Sequence, residues 1–126
     1  MMRLFLVDDS HVVRKRLLEL SNQVPGVEVV GTAANVAEAA AALYLYRPDV
    51  LLLDIHLGER TGFDLLTVVS DVMREMQVML LTSGAVDSYR KAAARLGVNY
   101  LFDKHKDIPL LQQVLSEMAA ASRRDQ

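Results

Sequence analysis

The sequence predicts an α/β protein with a doubly wound, five-stranded parallel sheet. Three observations predict this class: five short apolar runs, five intervening segments with helical periodicity, and short linkers rich in turn residues. Strands that are buried on both faces read as continuous apolar runs, and their alternation with helices is typical of βαβ units. The predicted strand order is 2-1-3-4-5, which gives a three-layer sandwich with helices on both faces of the sheet.

The first elements follow from apolar runs and from the residues between them. The run at 3–7 predicts the first strand, and the segment at 11–23 predicts the first helix. The turn dipeptide Pro25-Gly26 separates that helix from the second strand, at 27–32. Together these three elements make the first βαβ unit.

Alanine and asparagine mark the second helix, at 35–46. Asn35 is a preferred N-cap residue, and the alanine-rich stretch after it favours helix by propensity. Pro48 prevents the helix from continuing. The apolar run at 50–54 then predicts the third strand.

Turn and capping residues bound the remaining elements. Asp87 lies in the first turn of one helix, Gly97 follows the end of that helix, and Asp107 opens the last helix. These elements are predicted as helix 62–75, strand 77–82, helix 86–95, strand 98–102 and helix 107–121.

Bulk composition indicates one globular domain. The chain has 126 residues, of which 52% are hydrophobic and 24% are charged, and its net charge is -2. This charge gives no general attraction to nucleic acid or to an anionic membrane. The chain has no cysteine, which excludes disulfides, thiolate metal sites and thiol nucleophiles. We expect a folded domain over 1–122 and a short polar tail over 123–126.

The apolar run near the amino terminus is too short for a signal peptide or a membrane-spanning helix, and two aspartates follow it at once. We therefore expect a cytoplasmic protein, monomeric or weakly dimeric, with no nucleic-acid or membrane partner. We expect no effector region after the last predicted helix, and therefore a stand-alone module whose output is by docking to another protein.

Three acids end two of the predicted strands. Asp8 and Asp9 follow the first strand, and Asp54 closes the third. Because the carboxyl ends of parallel strands meet at one edge of the sheet, these carboxylates should lie close together. Their charges would raise one another's pKa unless a counter-ion were present. All-oxygen ligation suits Mg²⁺, which also binds phosphoryl oxygens, so the acids predict metal-assisted phosphoryl chemistry.

Two further polar residues end the last two strands. Thr82 ends the fourth strand, and Lys104 follows the fifth. A hydroxyl can donate to a phosphoryl oxygen, and an ammonium can neutralise its charge. Either residue alone would be an ordinary feature of a strand end. Together with the three acids, they predict a site of phosphorylation.

The ordered set of strand-end residues resembles that of the response-regulator receiver domains of two-component signalling. Gly62, eight residues after Asp54, matches the glycine in the family's loop after its phosphoacceptor, and Leu96-Gly97 matches its turn before the last strand. The resemblance covers nearly the whole chain and implies a flavodoxin-like fold. The set comprises Val7-Asp8-Asp9-Ser10, Asp54, Thr82 and Lys104.

The resemblance implies a metal site made of four residues. Asp9 and Asp54 would bind Mg²⁺ directly, and Asp8 would reach it mainly through water. The backbone carbonyl of His56 would complete the protein ligands. Mg²⁺ is thus the implied cofactor.

The resemblance also implies the chemistry and the partners. Asp54 would be the phosphoacceptor, and the donor would be a phosphohistidine of a histidine kinase or a histidine phosphotransfer protein. Thr82 and Lys104 would contact the phosphoryl group. The protein would be a signalling phosphoacceptor and not an enzyme, and phosphorylation would control its docking to an unidentified output protein.

Three residues depart from the family's pattern. Gly58 stands in place of a common proline, and we expect it to loosen the loop after the phosphoacceptor. His105 replaces the proline that usually follows the lysine, so that loop must be held in another way. Leu101 replaces a common aromatic residue, and Tyr100 should face the other side of the strand. These departures support one alternative, a phosphate-independent interaction module that keeps the receiver fold.

Specific features disfavour other classes of protein. A nucleotide-binding protein of the same strand order would place glycines and hydroxyls after its first strand, where this chain has Asp8 and Asp9. A phosphatase with an aspartyl nucleophile would have an Asp-x-Asp pair there, whereas these acids are adjacent. The histidines His11, His56 and His105 are scattered, so their side chains predict no zinc site.

Overall fold

Five parallel strands form the main sheet of the computed structural model, which describes residues 1–124. The main-sheet strands are β1 (Met2–Val7), β2 (Val27–Ala33), β3 (Val50–Asp54), β6 (Gln77–Thr82) and β7 (Tyr100–Asp103). Two short strands, β4 (His56–Leu57) and β5 (Arg60–Thr61), pair separately. The main sheet has the order β2-β1-β3-β6-β7, and each neighbouring pair is parallel. The predicted order is confirmed, since β6 and β7 are the fourth and fifth predicted strands.

Helices cover both faces of this sheet and enclose two apolar cores. They are α1 (His11–Asn22), α2 (Val36–Tyr46), α3 (Gly62–Val68), α4 (Ser70–Met73), α5 (Val86–Arg95) and α6 (Ile108–Arg124). One core includes Leu6 and Leu115 and lies under α1 and α6, whereas the other includes Phe5 and Leu65. Adjacent residues of β1 thus enter different cores, as expected for a strand that is buried on both faces. The predicted three-layer sandwich is confirmed.

Polar side chains set the starts of two helices. The Asn35 side chain accepts the N–H of Glu38 at 2.9 Å, which confirms it as the N-cap of α2. Ser10 caps α1 by accepting the N–H of Val13 at 3.3 Å. The second cap starts α1 directly after the two acids that follow β1.

The third predicted helix is divided in two at Val69. The backbone of this residue leaves the helical region, with φ -103° and ψ 24°, so α3 ends before it and α4 starts after it. The β-branched residues Thr67, Val68 and Val69 are weak helix formers. The Thr67 hydroxyl also donates to the Phe63 carbonyl at 3.1 Å, a contact that bends helices. The prediction of one continuous helix is therefore wrong.

A short antiparallel hairpin follows β3, and the sequence analysis did not predict it. Its strands β4 and β5 are joined by Gly58 and Glu59, and Gly58 has a φ of +67°. A glycine with positive φ at the first position of a two-residue turn matches the twist of the paired strands. Gly58 therefore forms a tight turn, where we expected a loosened loop.

The last helix extends beyond its predicted end, because α6 continues to Arg124. Arg123 and Arg124, which we assigned to the tail, thus belong to the helix, whereas Asp125 and Gln126 lie outside the described residues. No helix within 1–124 is long and apolar enough to cross a membrane.

Candidate functional site

Asp8, Asp9 and Asp54 meet at the carboxyl-terminal edge of the main sheet. β1 ends at Val7, directly before the first two acids, and β3 ends at the third. One carboxylate oxygen from each acid lies within 4.8 Å of the others. The predicted convergence is confirmed, and three oxygens at this spacing fit a hard divalent cation.

Two of the acids are buried and have defined hydrogen bonds. Asp8 is fully buried, and its Oδ1 accepts the N–H of Ser10 at 2.9 Å. Asp54 is 1% exposed, and its Oδ1 accepts the N–H of His56 at 3.2 Å. The main-chain N–H two residues after each acid therefore orients its carboxylate through Oδ1. The Oδ2 atom of each acid is left available for another partner.

Asp9 is the exposed acid of the three, and it joins the cluster to the hairpin. Its Oδ2 accepts the N–H of Gly58 at 3.2 Å. Among the side chains described, those of residues 1–122, no lysine or arginine makes an ion pair with it. Asp9 is thus the carboxylate most accessible to a cation from solvent.

A buried lysine bridges the other two acids. Lys104 Nζ donates to Asp54 Oδ2 at 3.0 Å and to Asp8 Oδ2 at 3.1 Å, and 8% of its side chain is exposed. The main-chain N–H of Lys104 donates to the Thr82 carbonyl at 2.9 Å. The ammonium supplies the positive charge that two buried carboxylates require.

Burial and charge shift the pKa values of this ion cluster. Burial raises the pKa of Asp54 above its usual value, the Asp8 charge raises it further, and the hydrogen bond from Lys104 opposes both. Burial acts to lower the pKa of Lys104, but its hydrogen bond to Asp54 and the two carboxylate charges outweigh burial and raise it. Lys104 therefore stays protonated.

Thr82 lies at the same sheet edge, but its hydroxyl bonds within its own loop. The residue ends β6 opposite Asp103 of β7, and it is buried. Its Oγ1 donates to the Gly84 carbonyl at 2.9 Å. The following residue, Ala85, has a left-handed φ of 54°, a conformation that costs about 1–2 kcal/mol for a residue with a Cβ. The Thr82 bond therefore helps to hold a strained loop.

Gly62 lies where α3 begins, directly against the end of β3. A Cβ at this position would be 2.6 Å from the Asp54 carbonyl oxygen and 3.0 Å from Leu53 Cγ. The Gly62 N–H donates to the Ile55 carbonyl at 2.7 Å. The close approach of α3 to the main chain of Asp54 thus explains why glycine is needed here.

The loop after Lys104 is held by Asp103, which the sequence analysis did not single out. Its Oδ1 accepts the N–H groups of His105 and Lys106, at 2.8 and 3.0 Å. The signal was present, because aspartate side chains commonly bond to main-chain groups two residues on. Because His105 and not a proline follows Lys104, the loop needs another restraint, and the Asp103 carboxylate supplies it.

The two residues before the buried end of β7 face opposite sides of the sheet. Leu101 packs against the core that includes Leu65, and Tyr100 packs against the core that includes Leu115. The predicted orientation of Tyr100 is confirmed. No aromatic ring from β7 therefore occupies the side on which Leu101 packs.

An aromatic contact that the sequence did not reveal links the site to α5. The Tyr89 hydroxyl lies 3.1 Å from His56 Nε2, with the two rings edge to face at 5.8 Å. The Phe63 ring packs on Tyr89 at 6.2 Å. These residues come from three different elements, so no local spacing predicts their contact. They connect the hairpin after Asp54 to α5 and α3.

A family model described as "Response regulator receiver domain" matches residues 4–116. The DNA-binding transcriptional activator DevR/DosR of Mycobacterium tuberculosis is 35% identical, over 99% of this chain and 58% of that protein. The sensory transduction protein LytT of Enterococcus faecalis is 32% identical, over 95% of this chain and 50% of that protein. The chain spans between 50% and 58% of the length of these relatives.

Solved structures share the fold over most of their length. The response regulator domain of CheB from Thermotoga maritima has a TM-score of 0.80 at 22% identity, covering 95% of this chain and 97% of that one. A CheY-like receiver domain protein from Methanospirillum hungatei has a TM-score of 0.83 at 20% identity, covering 100% of this chain and 99% of that one. This likeness concerns the fold, and it agrees with the sheet order and helical layers described above.

Proposed function

This chain belongs to the response regulator receiver family, and from that premise we propose that it accepts a phosphoryl group on Asp54. The donor is a phosphohistidine of a histidine kinase or a histidine phosphotransfer protein. The observation that carries the proposal is the Lys104 ammonium, 3.0 Å from Asp54 and 3.1 Å from Asp8. It places a fixed positive charge where the negative charge of a phosphoryl group would arrive.

Asp54 is the acid best placed to act as the nucleophile. It ends β3, which lies between β1 with the other acids and β6 with Thr82. A carboxylate oxygen attacks phosphorus, the O–P bond forms as the N–P bond breaks, and the electron pair returns to the donor imidazole. Such an in-line transfer needs positioning and charge neutralisation, and no general base.

The acid cluster also supports a Mg²⁺ site. Asp9 and Asp54 would bind the ion directly, Asp8 would bind it through water, and the His56 carbonyl would complete the protein ligands. The oxygen spacing within 4.8 Å and the exposed position of Asp9 both favour this set. When bound, the ion neutralises charge on the phosphoryl oxygens.

Thr82 and Lys104 contact the phosphoryl group after transfer. To do so, the Thr82 hydroxyl must exchange its bond to the Gly84 carbonyl for one to a phosphoryl oxygen. This exchange releases the strained loop that leads from β6 into α5. Phosphorylation is thereby coupled to the surface formed by α5, β7 and α6, and the output partner is a protein that binds there.

Intact-mass measurement tests this function. The protein is incubated with Mg²⁺ and acetyl phosphate, and a mass gain of one phosphoryl group is expected. Asp54→Asn and omission of Mg²⁺ should each abolish the gain. Asp49→Asn, which changes an exposed acid at the opposite edge of the sheet, should be labelled like the parent. Labelling of Asp54→Asn to the parental level would overturn the assignment.

One observation favours a second function, a phosphate-independent interaction module. The hydroxyl of Thr82 and the ammonium of Lys104 already have partners within the protein, and β7 offers Leu101 in place of an aromatic ring. On this reading the unphosphorylated surface is already competent to bind. Partner binding that is equal in the parent, the phosphorylated protein and Asp54→Asn would favour the module over the phosphoacceptor.

A further inference from the structure

We propose that Asp103 is the positioning residue for Lys104, because its carboxylate fixes the turn that carries the lysine into the acid cluster. The inference rests on the phosphoacceptor function proposed above and extends it to a side chain outside that cluster. A proline after the lysine would restrict the backbone at this point, but the residue that follows Lys104 is His105, which does not restrict it. The restriction must therefore come from contacts within the loop.

The carboxylate of Asp103 closes the turn immediately after the lysine. The side chain is 6% exposed, and its Oδ1 accepts the N–H groups of His105 at 2.8 Å and Lys106 at 3.0 Å. The bond from His105, followed by that from Lys106, keeps the pKa of Asp103 below its usual value despite burial. The acceptor is thus ionised, and charge-assisted hydrogen bonds are roughly twice as strong as neutral ones.

A second pair of bonds closes the same loop at its far end. The Asp103 N–H donates to Asp107 Oδ2 at 2.8 Å, and the Asp107 N–H donates to the Asp103 carbonyl at 2.9 Å. We call these contacts the Asp103–Asp107 clasp. The Lys104 N–H is bonded on its other side to the Thr82 carbonyl at 2.9 Å. The lysine backbone is therefore held by β6 on one side, and by the Asp103 carboxylate and the clasp on the other.

A fixed backbone matters because the lysine stem is long and flexible. Ordering such a side chain costs rotamer entropy. Its Nζ must nevertheless lie near 3 Å from two carboxylates at once, and it does so at 3.0 and 3.1 Å. A shift of the backbone would move Nζ away from one carboxylate or both.

A side-chain contact between this loop and the segment that follows β6 supplies a matched control. The Ser83 hydroxyl lies 3.1 Å from His105 Nε2, and both residues are exposed. If any contact to the loop were sufficient, Ser83→Ala would act like a change at Asp103. If the Asp103 carboxylate positions the lysine, Ser83→Ala leaves Lys104 in place.

The first test measures the position of Lys104 without reference to phosphorylation. Acylation by an N-hydroxysuccinimide ester is followed by peptide mass spectrometry, with exposed Lys15 and Lys91 as internal references. Asp103→Ala removes both hydrogen bonds to the carboxylate and should accelerate acylation of Lys104 by about tenfold or more, since the loss of one hydrogen bond to a charged group corresponds to about tenfold. Ser83→Ala should react at the parental rate.

Two more variants separate hydrogen bonding from charge. Asp103→Asn keeps an oxygen at the same position but loses the charge, so its protection of Lys104 should lie between that of the parent and that of Asp103→Ala. Asp103→Glu keeps the charge but displaces the oxygen, so it should behave like Asp103→Ala. Circular dichroism checks the fold, and Asp103→Glu carries the comparison if Asp103→Ala fails to fold. Parental acylation of Lys104 in both Asp103→Ala and Asp103→Glu would overturn the inference.

The second test asks whether Asp103 acts through Lys104. Asp103→Ala should slow phosphorylation by acetyl phosphate by about tenfold to a hundredfold. Its Mg²⁺ affinity should not fall, because the three clustered acids are intact. Adding Asp103→Ala to Lys104→Ala should cause no further slowing. Additive losses in the double variant would contradict the inference. A parent that gains no phosphoryl group would refute the phosphoacceptor function, while the acylation test would still decide the role of Asp103.

Discussion

Gly62→Ala should destabilise the fold and displace the proposed phosphoacceptor in one step. The added Cβ would lie 2.6 Å from the Asp54 carbonyl oxygen, whereas ordinary contact begins at 3.4 Å. That oxygen belongs to β3, which is paired on both sides, so no side-chain rotation relieves the contact. We expect a loss of about 1–3 kcal/mol in the free energy of unfolding, the usual cost of overpacking. Because the Asp54 carboxylate moves with its main chain, phosphorylation should slow by about tenfold.

Gly97→Ala is the matched control for this variant. Gly97 lies between α5 and β7, at the opposite edge of the sheet, with a φ of +75° and no atom within 4 Å of an added Cβ. Alanine there costs about 1–2 kcal/mol for its left-handed backbone, without touching the site. The two variants should therefore lose similar stability and differ in phosphorylation.

Urea unfolding gives the free energies, and a time course of intact mass at saturating Mg²⁺ gives the rates. A Gly62→Ala protein that loses stability but is phosphorylated at the parental rate would show that Asp54 is not displaced. An unchanged free energy of unfolding would show that the close contact relaxes without cost. Either result refutes the reasoning from the Gly62 contact.

Three further outcomes follow from the site. Asp54→Asn should raise the thermal midpoint at neutral pH, because burial and the Asp8 charge raise the pKa of Asp54 in the folded protein and its ionised form therefore costs stability. This gain in thermal midpoint should shrink as the pH falls through the raised pKa of Asp54, because the parent carboxyl then binds a proton. A gain in midpoint that grows on acidification would contradict the prediction. Asp9→Ala should weaken Mg²⁺ binding in calorimetry more than Asp8→Ala does, since a direct ligand matters more than one that acts through water, and the reverse order would exchange their roles. Thr82→Ala should reduce the gain in partner affinity on phosphorylation, measured by titration, while Thr82→Ser retains it; a full gain in Thr82→Ala would refute the proposed coupling.

The sheet order and the meeting of the three acids followed from the sequence because both depend on simple rules. Apolar runs that alternate with helices give parallel strands, and parallel strands bring their carboxyl ends together. Asp8 and Asp54 therefore had to meet, whatever the details of packing. The partners of Lys104 did not follow in the same way, because its long stem allows the ammonium to reach several groups.

Local details could not be predicted from the sequence where two structural preferences of the same segment compete. The periodicity around Val69 favours a helix, but three successive β-branched residues and the Thr67 hydroxyl interrupt it. The sequence indicates only the conformational freedom of Gly58, whereas the positive φ of this residue fits a hairpin turn. The contact between Tyr89 and His56 joins residues 33 positions apart and depends on how α5 packs. Such contacts need the tertiary structure.

The bond from Lys104 to Asp8 spans 96 positions of the chain, and the bond to Asp54 spans 50. During translation, both acids leave the ribosome well before the lysine does. Until β7 adds to the edge of β6, the buried carboxylates have no ammonium between them, and the loop that must close is long. A nascent chain that has formed β1, β2 and β3 therefore has its acids but no assembled site. On the proposed function, full competence to receive a phosphoryl group therefore arises only when the edge strand docks.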